Sequence, residues 1–218
     1  MRTQAVIFDL DGLIVDSEPV HRRAFHILLK RHGIAYEFDV VEYGQCFVGI
    51  PVKDNMDYLK TRFGLTASPE ELLRDREAIY EALLTEPANL VPMPGVFAVM
   101  DHLQARGLPL AVATGSPRSQ GEIILRGLGI APRLRAFVAG SDVPRTKPAP
   151  DVYVRAAAEL GVAPAQCLAL EDSATGVTAA RAAGMRVIAV PNQYTAAQDL
   201  AHADARVECL ADALRYVD

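Results

Sequence analysis

The sequence predicts an α/β fold: a parallel sheet with helices on both faces, and a small α-helical domain inserted after the first strand. Three observations predict it. Apolar runs of strand length recur at 4–9, 109–113, 136–139, 167–171 and 186–190. Between the later runs lie segments of helical periodicity, the alternation that βαβ units impose. The first run is separated from the second by roughly 100 residues, far more than one crossover needs. At 218 residues, half of them hydrophobic, the chain can bury one large core or a core plus an insert.

The first run, Ala5-Val6-Ile7-Phe8, leads straight into Asp9-Leu10-Asp11-Gly12. In extended backbone, residues i and i+2 point the same way, so Asp9 and Asp11 start on one side of the strand end. Carboxylates that close repel unless a cation neutralises them or one keeps a proton. The pair therefore suggests a divalent metal site, an acid/base pair, or both. Gly12 allows the sharp turn that follows. The plainer alternative is a solvated turn after a buried strand.

The insert is read as helical throughout. Residues 17–32 place Val20, Ala24, Ile27 and Leu28 on one face, and 53–63 form a second helix. For 69–84, Ser68 is a good N-cap, Pro69 suits the first helical position and Glu71 completes a capping box. The insert is assigned to 16–87, and the α/β core to 1–15 and 88–218. Pro92-Met93-Pro94-Gly95 marks the return.

Past the return, Val96, Val99, Met100 and Leu103 follow the i, i+3, i+4, i+7 template, with Gly107 just beyond the end. Strand two runs into Thr114-Gly115-Ser116. A hydroxyl at a strand end, then Gly and Ser at a helix start, offers donors to an anion. The alternative is a simple helix start at Ser116-Pro117. In Thr146-Lys147-Pro148-Ala149-Pro150-Asp151, two prolines stiffen the loop that holds Lys147. A lysine so held is a usable point charge for phosphate, against the alternative of an ordinary surface lysine. Helices are expected at 150–160, closed by Gly161, and at 175–183, closed by Gly184. Between them, strand four ends in Glu171-Asp172-Ser173. Its acids suit Mg²⁺, which takes oxygen ligands, or merely complement the helix dipole that follows.

Composition narrows the function classes. The net charge is −5 and there is no basic run, which argues against nucleic-acid or membrane-surface binding. The three cysteines, Cys46, Cys167 and Cys209, match no zinc or redox spacing and fit a reducing compartment. The opening apolar run is too short for a signal peptide, and no stretch approaches the roughly 18 apolar residues of a membrane span. A cytoplasmic monomer acting on a small molecule is expected.

Taken together, Asp9-x-Asp11-Gly12, Thr114, Lys147 and Glu171-Asp172 resemble, in order, the four motifs of the haloacid-dehalogenase-like hydrolase superfamily. The resemblance covers nearly the whole chain. Val15-Asp16-Ser17-Glu18 and Lys147-Pro148-Ala149-Pro150-Asp151 resemble the branch containing β-phosphoglucomutase and phosphoglycolate phosphatase, which carries a helical cap. What the resemblance implies is a Rossmann-like core with strands one, two and four side by side. It implies Asp9 as nucleophile and Asp11 as general acid/base. Mg²⁺ would be held by Asp9, the backbone carbonyl of Asp11 and Asp172, with Glu171 nearby through water. Thr114, Gly115, Ser116 and Lys147 would bind the phosphoryl group, and Thr114 and Lys147 complete the catalytic set. One departure is Thr146, where the branch usually has Gly.

In the cap, His21 stands where the mutase has a histidine. Gly49-Ile50-Pro51-Val52 resembles its substrate loop, but with Val52 in place of an arginine that holds a second phosphate; Lys53 is adjacent. Arg76 falls on the stripe of Leu72, Ile79 and Leu83 and matches a substrate-facing lysine. His21, Gly49, Lys53 and Arg76 are thus the expected cap residues, with a snorkelling arginine as the plainer reading of Arg76. The expectation is a Mg²⁺-dependent phosphatase for a small phosphorylated metabolite, a sugar phosphate or similar. A phosphomutase is disfavoured by Val52, and a dehalogenase by Asp11. A catalytically idle binding protein is disfavoured by the complete motif set.

Overall fold

The computed structural model describes residues 2–50 and 52–217. Strand β1 (Ala5–Phe8) is followed by helices α1 (Glu18–Arg31), α2 (Val40–Cys46), α3 (Val52–Phe63) and α4 (Pro69–Leu84). Then come α5 (Val96–Ala105), β2 (Leu110–Ala113), α6 (Arg118–Gly127), β3 (Ala136–Val138) and α7 (Asp151–Leu160). The chain ends through β4 (Cys167–Glu171), α8 (Ala174–Ala182), β5 (Arg186–Ala189), β6 (Ala205–Arg206) and a terminal 3₁₀ helix. It divides into two compact units, Met1–Asp16 with Leu90–Asp218, and Ser17–Asn89.

In the first unit all strands are parallel, in the order β3-β2-β1-β4-β5-β6. The five expected strands are present to within about a residue at each end. The two-residue β6 was not expected, because two residues carry no period to read. The sheet has two chemically different faces. Ala5, Ile7, Ala111, Ala113, Ala169, Val187 and Ala189 pack against α7 and α8. These small side chains let helices rich in alanine approach closely. The alternate residues Val6, Phe8, Val112, Leu168, Leu170 and Ile188 are also buried. They belong to the opposite face, over which α5 and α6 lie, with Gly121 of α6 against Phe137. Both faces being covered explains why the strands read as continuous apolar runs.

The second unit is helical. Ser68 accepts from the Glu71 N–H, and the Glu71 side chain accepts from the Ser68 N–H, closing the predicted capping box. In α1 the buried residues are Val20, Ala24, Phe25, Leu28 and Leu29. The buried face is therefore turned toward Phe25, and Ile27 is only half-buried. Phe25 is drawn in by an aromatic cluster with Tyr43 and Phe47. Helix α2 was not expected. Its signal is Asp39, whose side chain caps the Glu42 N–H, but seven residues with a glycine inside give little period to detect.

Among the described residues, no helix is long and apolar enough to cross a membrane. The three cysteines are free thiols. Gly44 lies inside α2, half-buried, and nothing is within 4 Å of where a Cβ would sit. Gly44→Ala should therefore stabilise the protein by about 0.5–1 kcal/mol, the cost of glycine in a helix interior. A thermal melt of the purified variant should show a raised midpoint.

Candidate active site

The C-terminal ends of β1, β2 and β4 lie side by side, and all eight core residues singled out in the sequence gather there. Asp9 follows β1 directly, its N–H donating to the Leu170 carbonyl of β4 at 3.0 Å. Glu171 closes β4 and Asp172 follows it. One carboxylate oxygen from each of Asp9, Glu171 and Asp172 lies within 4.8 Å of the others, and all three residues are buried.

Lys147 reaches into this trio. Its ammonium donates to Asp9 Oδ1 at 2.5 Å and to Glu171 Oε1 at 2.6 Å, and only 9 % of its side chain is exposed. The loop with Pro148 and Pro150 thus carries an ion-paired, largely covered lysine, not a solvated surface one. Burial alone would lower its pKa, but the facing Asp9 and Glu171 carboxylates outweigh that and keep it charged. Asp9 behaves oppositely. Burial is the largest influence on it, joined by the Glu171 and Asp11 charges, and these override Lys147 to push its pKa up to about 7. Two carboxylates share one ammonium, so the lysine stays charged while Asp9 is under-compensated.

Glu171 is the most saturated group. Oε1 accepts from Lys147 and from the buried Tyr153 hydroxyl at 2.6 Å. Oε2 accepts from the Asp172 N–H at 3.1 Å, the Ser173 N–H at 3.3 Å and the Ser173 hydroxyl at 3.2 Å. Gly176 must lack a side chain, because a Cβ there would overlap all three carboxyl atoms of Glu171.

The Asp11 carboxylate faces elsewhere. Its Oδ2 accepts from the Ser116 hydroxyl at 2.7 Å and the Thr114 hydroxyl at 3.3 Å. The close acidic trio is therefore Asp9, Glu171 and Asp172, with the Asp11 side chain turned to β2 because the strand geometry ends before it. Ser116 does not cap α6: Pro117 occupies the N-cap position, and the Ser116 side chain serves Asp11 instead. Gly115 faces Thr146, whose hydroxyl lies 3.5 Å from its carbonyl, so the threonine that departs from the family pattern still braces this loop.

Residues 3–184 match the family model of haloacid dehalogenase-like hydrolases. The chain belongs to that family. It is 34 % identical over 221 residues to Protein CbbY of Rhodobacter capsulatus, covering 98 % of this chain and 96 % of the relative. It is 33 % identical over 189 residues to the fructose-1-phosphate phosphatase YqaB of Escherichia coli, covering 87 % and 97 %. A crystal structure of CbbY from Rhodobacter sphaeroides in complex with xylulose-(1,5)bisphosphate superposes with a TM-score of 0.84 at 28 % identity, covering 96 % of each chain.

Two residues that the sequence did not flag also hydrogen-bond to this cluster. Tyr153 supports Glu171 from α7. Asn192, in the loop after β5, donates to Asp172 Oδ2 at 2.9 Å and to the Gly12 carbonyl at 3.1 Å. The only hint of Tyr153 was an aromatic one turn into a helix, and nothing local distinguishes Asn192.

The four expected cap residues all lie in the helical unit. Arg76 is 1 % exposed. It contacts His21 Nδ1, pairs with Glu77 at 3.1 Å and lies over the rings of Phe25 and Tyr80. Its head is buried and engaged, rather than snorkelling to water. His21 stacks on Tyr80 with centroids 4.0 Å apart. Gly49 and Lys53 are exposed, at the last turn before α3 and within its first turn. Pro51 of the expected substrate loop lies outside the described residues.

Gly176→Ala should destabilise this hydrolase by about 1–3 kcal/mol, as overpacking against a fixed group does. A lowered thermal midpoint, opposite in sign to that of Gly44→Ala, checks it; an unchanged midpoint would mean that Glu171 can move.

Proposed function

We propose that this hydrolase is a Mg²⁺-dependent phosphatase for a small phosphorylated metabolite, a sugar phosphate or similar, working through an aspartyl-phosphate on Asp9. The observation that carries the reading is the division of labour between Asp9 and Asp11. Asp9 sits in the acidic trio beside Lys147, whereas the Asp11 carboxylate accepts from two hydroxyls, Ser116 and Thr114. This difference supports reading Asp9 as the attacking carboxylate and Asp11 as the one that moves a proton. The names of the relatives support the substrate class, since they include phosphatases of fructose 1-phosphate and of hexitols.

The donor set fits a hard divalent cation. Three buried carboxylates face one ammonium, leaving a deficit of positive charge, and all available ligand atoms are oxygens. Asp9 and Asp172 would be the side-chain ligands, with the Asp11 carbonyl beside them. Glu171, whose oxygens are already engaged, would act from behind. The ion, when bound, supplies positive charge that keeps Asp9 ionised and offsets charge on the phosphoryl oxygens.

In the first step an Asp9 oxygen forms a bond to phosphorus while the bond to the substrate oxygen breaks. Asp11, protonated, gives its proton to that leaving oxygen. In the second step Asp11, now a carboxylate, takes a proton from the water that attacks phosphorus, releasing phosphate and restoring Asp9. Thr114, the Gly115-Ser116 turn and Lys147 would orient the phosphoryl oxygens, and most of the acceleration would come from positioning and electrostatics. The helical unit would select the substrate. Water is the expected acceptor, rather than a second sugar hydroxyl. Holding a bisphosphate intermediate calls for a fixed cation, Val52 supplies none, and Arg76 is already engaged by His21 and Glu77.

Asp9→Asn should retain the fold by circular dichroism and release phosphate from para-nitrophenyl phosphate at below roughly 1 % of the wild-type rate, since an amide is a poor nucleophile. With β-glucose 1-phosphate and a trace of glucose 1,6-bisphosphate, the wild type should release free phosphate faster than it forms glucose 6-phosphate. The reverse order would make it a mutase.

Cation uptake should depend on pH with a definite sign. Without the ion, Asp9 keeps its proton up to about pH 7 in the folded chain, against its ordinary value of 3.8. On this group's account the metal-free fold loses stability as pH rises from about 4 to about 7. Binding the ion expels that proton, so apparent Mg²⁺ affinity should rise about tenfold per pH unit below 7 and level off above it. Calorimetric titrations at pH 5.5, 6.5 and 7.5 would measure it, and a flat profile would remove Asp9 from the ligand set.

A further inference from the structure

We propose that Gly140, in the loop after β3, is a positioning residue for Asp11: it clamps the Gly115-Ser116 turn from outside and so holds the Ser116 hydroxyl on the Asp11 carboxylate. The inference rests on the reading of Asp11 as the general acid. Gly140 opens a single 3₁₀ turn, Gly140–Asp142. Its N–H donates to the Ser116 carbonyl at 3.0 Å. Its Cα is seated on the peptide just before, since a Cβ there would lie 2.1 Å from the Gly115 carbonyl oxygen and 2.8 Å from the carbonyl carbon. Gly140 does not have a positive φ, so room rather than backbone conformation calls for glycine here.

The clamp has other members. Arg118, at the start of α6, donates its N–H to the Ser141 hydroxyl at 3.0 Å and its Nε–H to Asp142 Oδ1 at 2.8 Å. Asp142 Oδ2 accepts from the Ala139 N–H at 2.8 Å, which closes the turn that carries Gly140. The Thr114 N–H donates to the Val138 carbonyl at 3.0 Å. The chain after β2 is thus gripped at 114, 116 and 118 by one stretch, 138–142, which lies outside all four motifs.

The grip fixes a pair of hydroxyls. Ser116 Oγ donates to Asp11 Oδ2 at 2.7 Å and Thr114 Oγ1 to the same oxygen at 3.3 Å, while the Ser116 N–H donates to Thr114 Oγ1 at 3.0 Å. A shift of the Ser116 backbone therefore carries both donors with it. The atoms facing Gly140 are backbone and cannot swing aside as the end of a side chain could, so a methyl group at 140 must push the turn. Asp11 is then aimed less well at the leaving oxygen. A general acid matters most where the departing oxygen is basic. Misplacing Asp11 should thus slow poor leaving groups more than good ones, whereas weaker folding or weaker phosphate binding slows both alike.

The test is kcat/KM of the full-length protein, with Mg²⁺, for phenyl phosphate and para-nitrophenyl phosphate. The two present the same ring but a more and a less basic leaving oxygen, to which the Asp11 proton passes as the bond to phosphorus breaks. In Gly140→Ala the nitrophenyl-to-phenyl ratio should rise about fivefold or more. Ser116→Ala should raise it too, and the double variant should match Ser116→Ala to within about twofold, because both changes act through one hydroxyl. Gly121→Ala, whose Cβ would press on the Phe137 ring, should lower the thermal midpoint yet keep the wild-type ratio. If Gly140→Ala folds poorly, Asp142→Ala carries the test: it opens the same turn without adding bulk and should raise the ratio about twofold or more. A wild-type ratio in these loop variants while Ser116→Ala raises it, a ratio shifted as far by Gly121→Ala, or effects of Gly140→Ala and Ser116→Ala that simply multiply would overturn this inference alone. A ratio left unmoved by Ser116→Ala, or a wild type that hydrolyses neither ester, overturns the reading of Asp11 as the acid, and this inference with it.

Discussion

A carboxylate with no exposure to solvent, Glu171, is the constraint around which the active-site end of the sheet is built. Burying that charge costs several kcal/mol unless every lone pair is met. The chain meets them from three directions: Lys147 from the loop before α7, Tyr153 from inside α7, and the turn Asp172-Ser173 that opens α8. Each partner is thereby fixed in place. Lys147 is drawn out of solvent, the first turn of α7 is tied to the end of β4 through Tyr153, and α8 must carry a glycine at 176. A group that never needs to touch a substrate can thus hold in register the groups that would.

The second consequence is a charge imbalance. Lys147 is divided between Asp9 and Glu171, so neither carboxylate is fully neutralised by it. Glu171 has further donors to draw on. Asp9 has few, and burial pushes it toward holding a proton. The strain is relieved either by that proton or by a cation. These are the two remedies that adjacent carboxylates always face, and both belong to phosphoryl-transfer chemistry of the proposed kind.

Much of the fold was legible because the sheet is covered on both faces. Strands such as Ala111-Val112-Ala113 and Leu168-Ala169-Leu170 read as unbroken apolar runs, and the helices between them carried plain start and stop signals, as at Ser68 and Gly161. What escaped was short or driven by contacts. Helix α2 and strand β6 have too few residues to show a period. The buried face of α1 turned toward Phe25 because aromatic side chains distant in sequence draw it there.

By itself the sequence determined the order of the elements, the insertion of a helical segment after the first strand, and the residue types brought to the strand ends: Asp9, Asp11, Thr114, Ser116, Lys147, Glu171 and Asp172. These are local facts, since each lies at the end of an apolar run or beside a proline or glycine that marks a turn. Only the tertiary structure decided which of them face one another. It turned the Asp11 side chain to Ser116, gave Lys147 to two carboxylates at once, and buried Arg76 against His21. It also recruited Tyr153 and Asn192, whose partners lie 18 and 20 residues away in the chain. Hydrogen bonds and ion pairs act over about 3 Å, and at that range the neighbours of a side chain are set by how strands and loops pack, which spacing along the chain does not encode.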